Sequence, residues 1–113
     1  MTVHLRDATD ADIAAITAIY AVEVTDFVNT YEYEIPEAAE MRRRMQDIVG
    51  RGFPYIVAEV DGQVAGYAYA NTYRGRIAYQ WTVENSVYVD AAFQGRGVGT
   101  ALMQGLIAAC VAR

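Results

Sequence analysis

WTVENSVYVDAAFQGRGVGTAL, residues 81–102, is the stretch from which the rest of the chain can be read. Residues 82–89 are rich in β-branched and aromatic side chains, which suit a pleated, half-buried surface and predict a strand. Gln94-Gly95-Arg96-Gly97-Val98-Gly99 then sets three glycines at alternate positions. Without a Cβ, such residues reach unusual dihedrals and let another group come close to the backbone. From Gly97 onward, Ala101, Leu102, Met103, Leu106, Ile107 and Ala108 predict a helix. The N–H groups of its first turn lie at the positive end of the helix dipole, so they form an anion site that suits phosphate. Two familiar glycine loops do not fit. The dinucleotide pattern G-x-G-x-x-G would need glycine where Thr100 stands, and the Walker loop needs a lysine, which this chain lacks altogether.

The 113 residues are enough for one domain with its own core. Hydrophobic residues make up 54%, too many for a disordered chain. No apolar run approaches the roughly 20 residues of a membrane span. Residues 1–6 carry no signal-peptide core and Cys110 is the single cysteine, so a reducing, cytoplasmic location is expected. The net charge is −5, with all nine basic residues arginine, which argues against nucleic acid or an anionic membrane as the main partner. His4 stands alone and there is no Cys/His cluster, so no metal site is expected.

Working back to the start, residues 3–6 predict a first strand. Thr9 and Asp12 have the capping-box spacing, and Ile13, Ile16, Ile19 and Tyr20 recur at helical spacing to about Glu23. Residues 26–35 read as an aromatic and acidic loop. Pro36 suits the first position of a second helix with Met41, Met45, Ile48 and Val49 buried and Gly50 or Gly52 ending it. The Arg42-Arg43-Arg44 run fans out around that helix among acids and reads as a solvated face. Residues 55–60 predict a strand, Asp61-Gly62 a two-residue hairpin turn, and residues 64–71 the returning strand. Gly66 within it signals a bulge or a close backbone approach. Residues 72–80 read as a loop. The order is β-α-α-β-β-β-α: one α/β (α+β) domain with a mostly antiparallel sheet, and no internal repeat or linker.

Gln94, Gly97 and Gly99 occupy the defining places of the Q/R-x-x-G-x-G/A loop of GNAT N-acetyltransferases, which the chain resembles. Within that superfamily AYQWTVENSVYV, residues 78–89, resembles the phosphinothricin and methionine sulfone acetyltransferases. So do Arg6-Asp7-Ala8-Thr9, Ile19-Tyr20 and the loop at residues 29–36. The resemblance implies a GNAT acyl-CoA N-acyltransferase fold using acetyl-CoA as cosubstrate. It also implies that further strands and a helix follow in the family, so residues 1–113 are expected to be the N-terminal part of a single GNAT domain within a longer acetyltransferase. The strand that normally closes the coenzyme gap, and the residues that usually protonate the leaving thiol, are not in this sequence.

By that resemblance Glu84 is the general base. On its own, a mid-strand glutamate more often faces solvent; a buried one would have its pKa raised into a useful range. The backbone of Val87, Tyr88 and Val89 would pair with the pantetheine amides. An N–H near Val87, exposed by a splay or bulge, would serve the oxyanion. Gly95, Arg96, Gly97, Val98, Gly99 and Thr100, with Gln94, would hold the pyrophosphate; a plain surface arginine explains Arg96 nearly as well. The family's substrate contacts map to Arg74, Gly75 and Arg76 and to Asn85 and Ser86. Guanidinium forks suit an acceptor that is itself an amino acid. Tyr31, Glu32 and Tyr33 are candidates for the opposite wall, as is Tyr79, though aromatic loop residues also simply cover a core. The expected reaction is acetyl transfer to the α-amine of a small amino acid or analogue. The alternatives are another amine acceptor, or an acyl-CoA-binding domain without turnover. Members of the family often pair, so a homodimer is one expected assembly, although no interface is legible in the sequence.

Overall fold

A computed structural model of the chain describes residues 2–26, 36–74 and 81–111. The elements are β1 (His4–Asp7), a 3-10 turn (Asp10–Asp12), α1 (Ile13–Asp26), α2 (Ala38–Gly50), β2 (Tyr55–Val60), β3 (Gln63–Arg74), β4 (Trp81–Val89), a second 3-10 turn (Ala91–Phe93) and α3 (Val98–Val111). The four strands form one antiparallel sheet in the order β1-β2-β3-β4. The expected order of elements is therefore observed.

Both faces of the sheet are covered, and β2 shows why. Tyr55 and Val57 point to a cluster with Ile13, Ile16 and Ile19 of α1 and Met41, Met45 and Ile48 of α2. Ile56, Ala58 and Val60 point the other way, against Val98, Leu102 and Leu106 of α3. Side chains alternate along a strand, so a strand covered on both faces must be apolar almost throughout. Opposite α3, β3 presents Ala65, Gly66, Ala68 and Ala70, small residues that let the helix approach closely.

Gly66 meets both expectations raised for it. The register slips so that Ala58 pairs with Gly66 but Glu59 with Val64, leaving Ala65 as the extra residue of a bulge. A Cβ on Gly66 would lie 2.7 Å from the Tyr88 carbonyl oxygen, so only glycine lets β4 come this close. In the hairpin turn, Asp61 and Gly62 take φ of 53° and 78°, the paired positive values of a type I′ turn.

Arg6 in β1 forks onto Asp12 at 2.7 and 2.8 Å and also bonds Glu59 of β2. Asp12 in addition accepts the Thr9 N–H at 2.8 Å, as the capping spacing predicts. This carboxylate is 4% exposed, and the Arg6 guanidinium holds its pKa below the usual carboxylate range.

Three local expectations are corrected. Helix α2 begins at Ala38, not Pro36, because Glu37 keeps an extended ψ of 165° as its N-cap. Val49 is half exposed, lying off the stripe that Met41, Met45 and Ile48 define. Strand β3 runs on to Arg74, pairing with Trp81, where a loop from residue 72 was expected.

Candidate functional site

Strand β4 pairs with β3 without interruption, from Gly66–Val89 to Arg74–Trp81. Asp90 donates its N–H to the Ala65 carbonyl at 2.8 Å, and Ala70, across on the other side of β3, donates to Pro54 at 3.2 Å. Antiparallel ladders alternate, so these two bonds set the parity of the whole strand. Tyr88, Ser86 and Glu84 turn their backbone groups inward, to Tyr67, Tyr69 and Asn71. Asn85, Val87 and Val89 turn theirs outward, along an edge that no strand among the described residues covers. The expected splay near Val87 is thus not observed. Its N–H faces outward because β4 is the edge strand, with regular pairing behind it. Of the three residues expected to offer backbone groups, Tyr88 faces β3.

The edge leads into the glycine turn. Asp90 caps the 3-10 turn by accepting the Ala92 N–H at 2.9 Å. Gln94 folds back and donates its side-chain amide to the outward Val89 carbonyl at 3.3 Å. Gly95 and Gly97 take φ of +78° and +81° with nothing within 4 Å of a would-be Cβ. The turn is therefore both left-handed and open, a shape that lets backbone N–H groups converge on an anion. Val98 is buried and anchors the first turn of α3, where Ala101 bonds back to Gly97 at 3.0 Å. Gly99 packs against Val89, while Thr100 and Arg96 are exposed, with the Arg96 guanidinium 6.0 Å from the Phe93 ring centre. These groups suit a diphosphate: donors at a helix N-terminus, space in front of them and a cation beside them.

Glu84 is exposed, as is Asn85, and Ser86 is half-buried. Burial of Glu84 is thus not observed among the described residues. Arg74 lies within β3 by its backbone, but its side chain is outside the described residues, as are Gly75, Arg76, Tyr31, Glu32, Tyr33 and Tyr79.

Sequence reasoning missed a row of tyrosines on the face that Glu84 shares. Tyr88 stacks on Tyr67 with ring centres 5.0 Å apart, Tyr69 on Tyr55 at 4.9 Å, and Tyr20 of α1 meets Tyr88 edge-on at 5.5 Å. Burial pushes the Tyr55, Tyr67 and Tyr88 phenols up, so all three stay protonated. A cleft of about 160 Å³ opens nearby between α1 and the end of β4, lined by Ala18, Ile19, Val22, Asp90 and Ala91. Among the described residues no group of three His, Cys, Asp or Glu could hold a metal, and no helix is long and apolar enough to cross a membrane.

An open edge strand runs into a left-handed glycine turn at a helix N-terminus, an arrangement with room for an extended ligand. The chain belongs to the GNAT acetyltransferases: residues 16–113 match the Acetyltransferase (GNAT) family. It is 46% identical over 106 residues to the phosphinothricin N-acetyltransferase of Alcaligenes faecalis, covering 94% of this chain and 54% of that protein. It is 37% identical to the L-methionine sulfoximine/L-methionine sulfone acetyltransferase of Salmonella typhimurium, covering 91% of this chain and 60% of that one. Its fold superimposes with a TM-score of 0.90 on a GNAT superfamily phosphinothricin acetyltransferase of Sinorhizobium meliloti in complex with AcCoA, at 46% identity over 99% of this chain and 61% of that one. The chain spans a little over half the length of the curated relatives it matches.

Proposed function

We propose that this chain forms the coenzyme-binding part of an acetyl-CoA-dependent N-acetyltransferase, acting on the α-amine of a small amino acid or analogue of the phosphinothricin or methionine sulfone type. The observation that carries this reading is the continuity of the outward Val87 and Val89 edge with the positive-φ turn at Gly95 and Gly97. Support for the acceptor comes from the activities named for the relatives.

Acetyl-CoA supplies the thioester. The N–H groups from Gly95 to Thr100 hold its diphosphate, with Gln94 fixing the turn against Val89 and Arg96 adding positive charge. The outward groups of Val87 and Val89 hold the pantetheine arm in strand-like register. Glu84 takes the proton from the acceptor ammonium, so that the neutral nitrogen can attack the thioester carbonyl. The Val87 N–H donates to the carbonyl oxygen as it gains charge when the C–N bond forms; the C=O then re-forms as the C–S bond breaks, and the proton lost by the new amide nitrogen balances the departing thiolate. Ser86, on Glu84's side of the strand, faces the acceptor together with Arg74, Gly75 and Arg76. Tyr31 and Glu32 complete its surroundings, while Asn85, whose side chain lies on the opposite face of the strand, contributes its outward backbone groups. A neighbour along the β4 edge would enclose Glu84 and dry the site.

The test is the Glu84→Gln variant of the complete protein. Thiol release with methionine sulfone should fall at least about 10-fold while acetyl-CoA binding holds. An unchanged rate would make Glu84 a surface residue. The exposure of Glu84 favours a second reading, an acyl-CoA-binding unit without turnover. A complete protein that binds acetyl-CoA yet releases no thiol across a broad panel of amino acids, polyamines and peptide N-termini would establish it.

A further inference from the structure

We propose that the cleft between α1 and the end of β4 seats the pantoyl gem-dimethyl group of acetyl-CoA; this rests on the reading of the β4 edge and the glycine turn as the coenzyme site. Ala18, Ile19 and Val22 stand three and four residues apart on α1 and so form one patch. Asp90 and Ala91 face that patch from the start of the second 3-10 turn. The short side chains of Ala18 and Ala91 leave the space between the two elements. Ile19 ties the cleft to the core, and Val22 stands 43% exposed beside it.

The lining side chains are aliphatic apart from Asp90, whose carboxylate accepts the Ala92 N–H at 2.9 Å. No described lining residue is basic, so the cleft repels a phosphate and takes a neutral, apolar group. An aliphatic cavity of about 150 Å³ stays dry and accepts a guest the size of benzene. At about 160 Å³ this cleft has room for a branched carbon carrying two methyls. On the pantetheine arm, the gem-dimethyl carbon is the one aliphatic branch.

Position decides which part of the coenzyme arrives there. With the thioester carbonyl at the Val87 N–H and the diphosphate at Gly95 to Thr100, the arm runs toward the C-terminal end of β4. From Val87 to the lining pair Asp90 and Ala91 the chain advances about 10–13 Å at strand rise. About eleven bonds separate the thioester carbon from the pantoyl quaternary carbon. Three backbone bonds of an extended chain advance about 3.3–3.6 Å, so that span is about 12–13 Å. The two lengths agree, and the branched carbon lands beside Asp90 and Ala91 with its CH2–O arm leading on to the turn. Adenine lies beyond the diphosphate and the acetyl group at the opposite end, so neither reaches the cleft.

The test is titration calorimetry of the complete protein with two probes, acetyl-CoA and an analogue whose two pantoyl methyls are hydrogens. Wild type should bind the analogue about 4- to 15-fold more weakly, the worth of one to two buried methyls. A18L fills the cleft, so it should weaken acetyl-CoA by about that factor while leaving the analogue within about 2-fold of its wild-type affinity. V22N makes the rim polar and should also shrink the preference for acetyl-CoA. Both residues sit on the outer side of α1, so either variant alone serves if the other does not fold. A preference for acetyl-CoA that stays at its wild-type value in these variants would overturn the inference, whether or not both affinities fall together. A fall in melting temperature with that preference intact would do the same, and would assign the cleft to another part of the complete protein. If wild type binds neither probe, the coenzyme reading itself fails, and this inference with it.

Discussion

Replacing Gly66 with alanine should loosen the coenzyme strand from within. The added Cβ would stand 2.7 Å from the Tyr88 carbonyl oxygen, 3.0 Å from Leu102 Cδ1 and 3.3 Å from Val89 Cα. The leucine methyl can turn aside only into a packed core, because Leu102 is fully buried. The carbonyl belongs to the ladder with Tyr67, so relief requires β4 itself to move by several tenths of an ångström. Overpacking of this kind costs about 1–3 kcal/mol. Alanine returns about 0.5–1 kcal/mol through the lower entropy of the unfolded chain. The net loss is therefore about 1–2 kcal/mol, which for a domain near 100 residues lowers Tm by roughly 5–10 °C. Thermal and urea unfolding followed by circular dichroism would measure it. Titration calorimetry with acetyl-CoA provides the second readout, because the displaced strand carries the outward groups of Val87 and Val89. A variant that melts within about 2 °C of wild type and binds the coenzyme equally well would show that the approach of β4 to β3 is not the tight contact described.

Gly97→Ala meets no atom within 4 Å but inherits φ +81°, so it should cost about 1–2 kcal/mol through backbone strain and weaken coenzyme binding by reshaping the turn. Gly99→Ala, at an ordinary φ and 3.5 Å from Val89 Cγ2, should leave stability within about 1 kcal/mol of wild type, and equal losses in the two would contradict this account. Asp12→Asn should cost about 2 kcal/mol at neutral pH, measured by urea unfolding, since it strips the Arg6 fork from a nearly buried site. The folded pKa of Asp12 lies below its unfolded value, so its contribution is complete above about pH 4 and fades as pH falls through the folded value. The gap between wild type and variant should close in acid, and a gap that stays constant would assign the loss to shape alone. Arg74→Ala should raise KM chiefly for anionic acceptors, and an equal rise for neutral amines would remove its proposed role.

What could be read from the sequence was what is decided locally, and the corrections fall where a distant strand decides. Asp61-Gly62 names its own turn, and Thr9 with Asp12 names its own cap, because the bonds involved span two or three residues. β3 runs past residue 71 because β4 supplies its partners, which no window around Thr72 contains. The tyrosine row draws on α1 and three strands, so it exists only once the register is known. Register also links the two halves of the proposed chemistry. Along β4, even-numbered residues from Glu84 to Tyr88 bond inward and set their side chains on the α1/α2 face, whereas Asn85, Val87 and Val89 offer backbone groups at the edge. A side-chain base on that face and a backbone donor at the edge can share one strand only at odd spacing. Glu84 and Val87, three residues and about 10 Å of strand apart, meet that condition. A base at residue 83 or 85 would project toward α3 instead, away from Ser86 and the tyrosines. The parity of one strand thus supports the proposed pairing of a Glu84 side-chain base with the Val87 N–H.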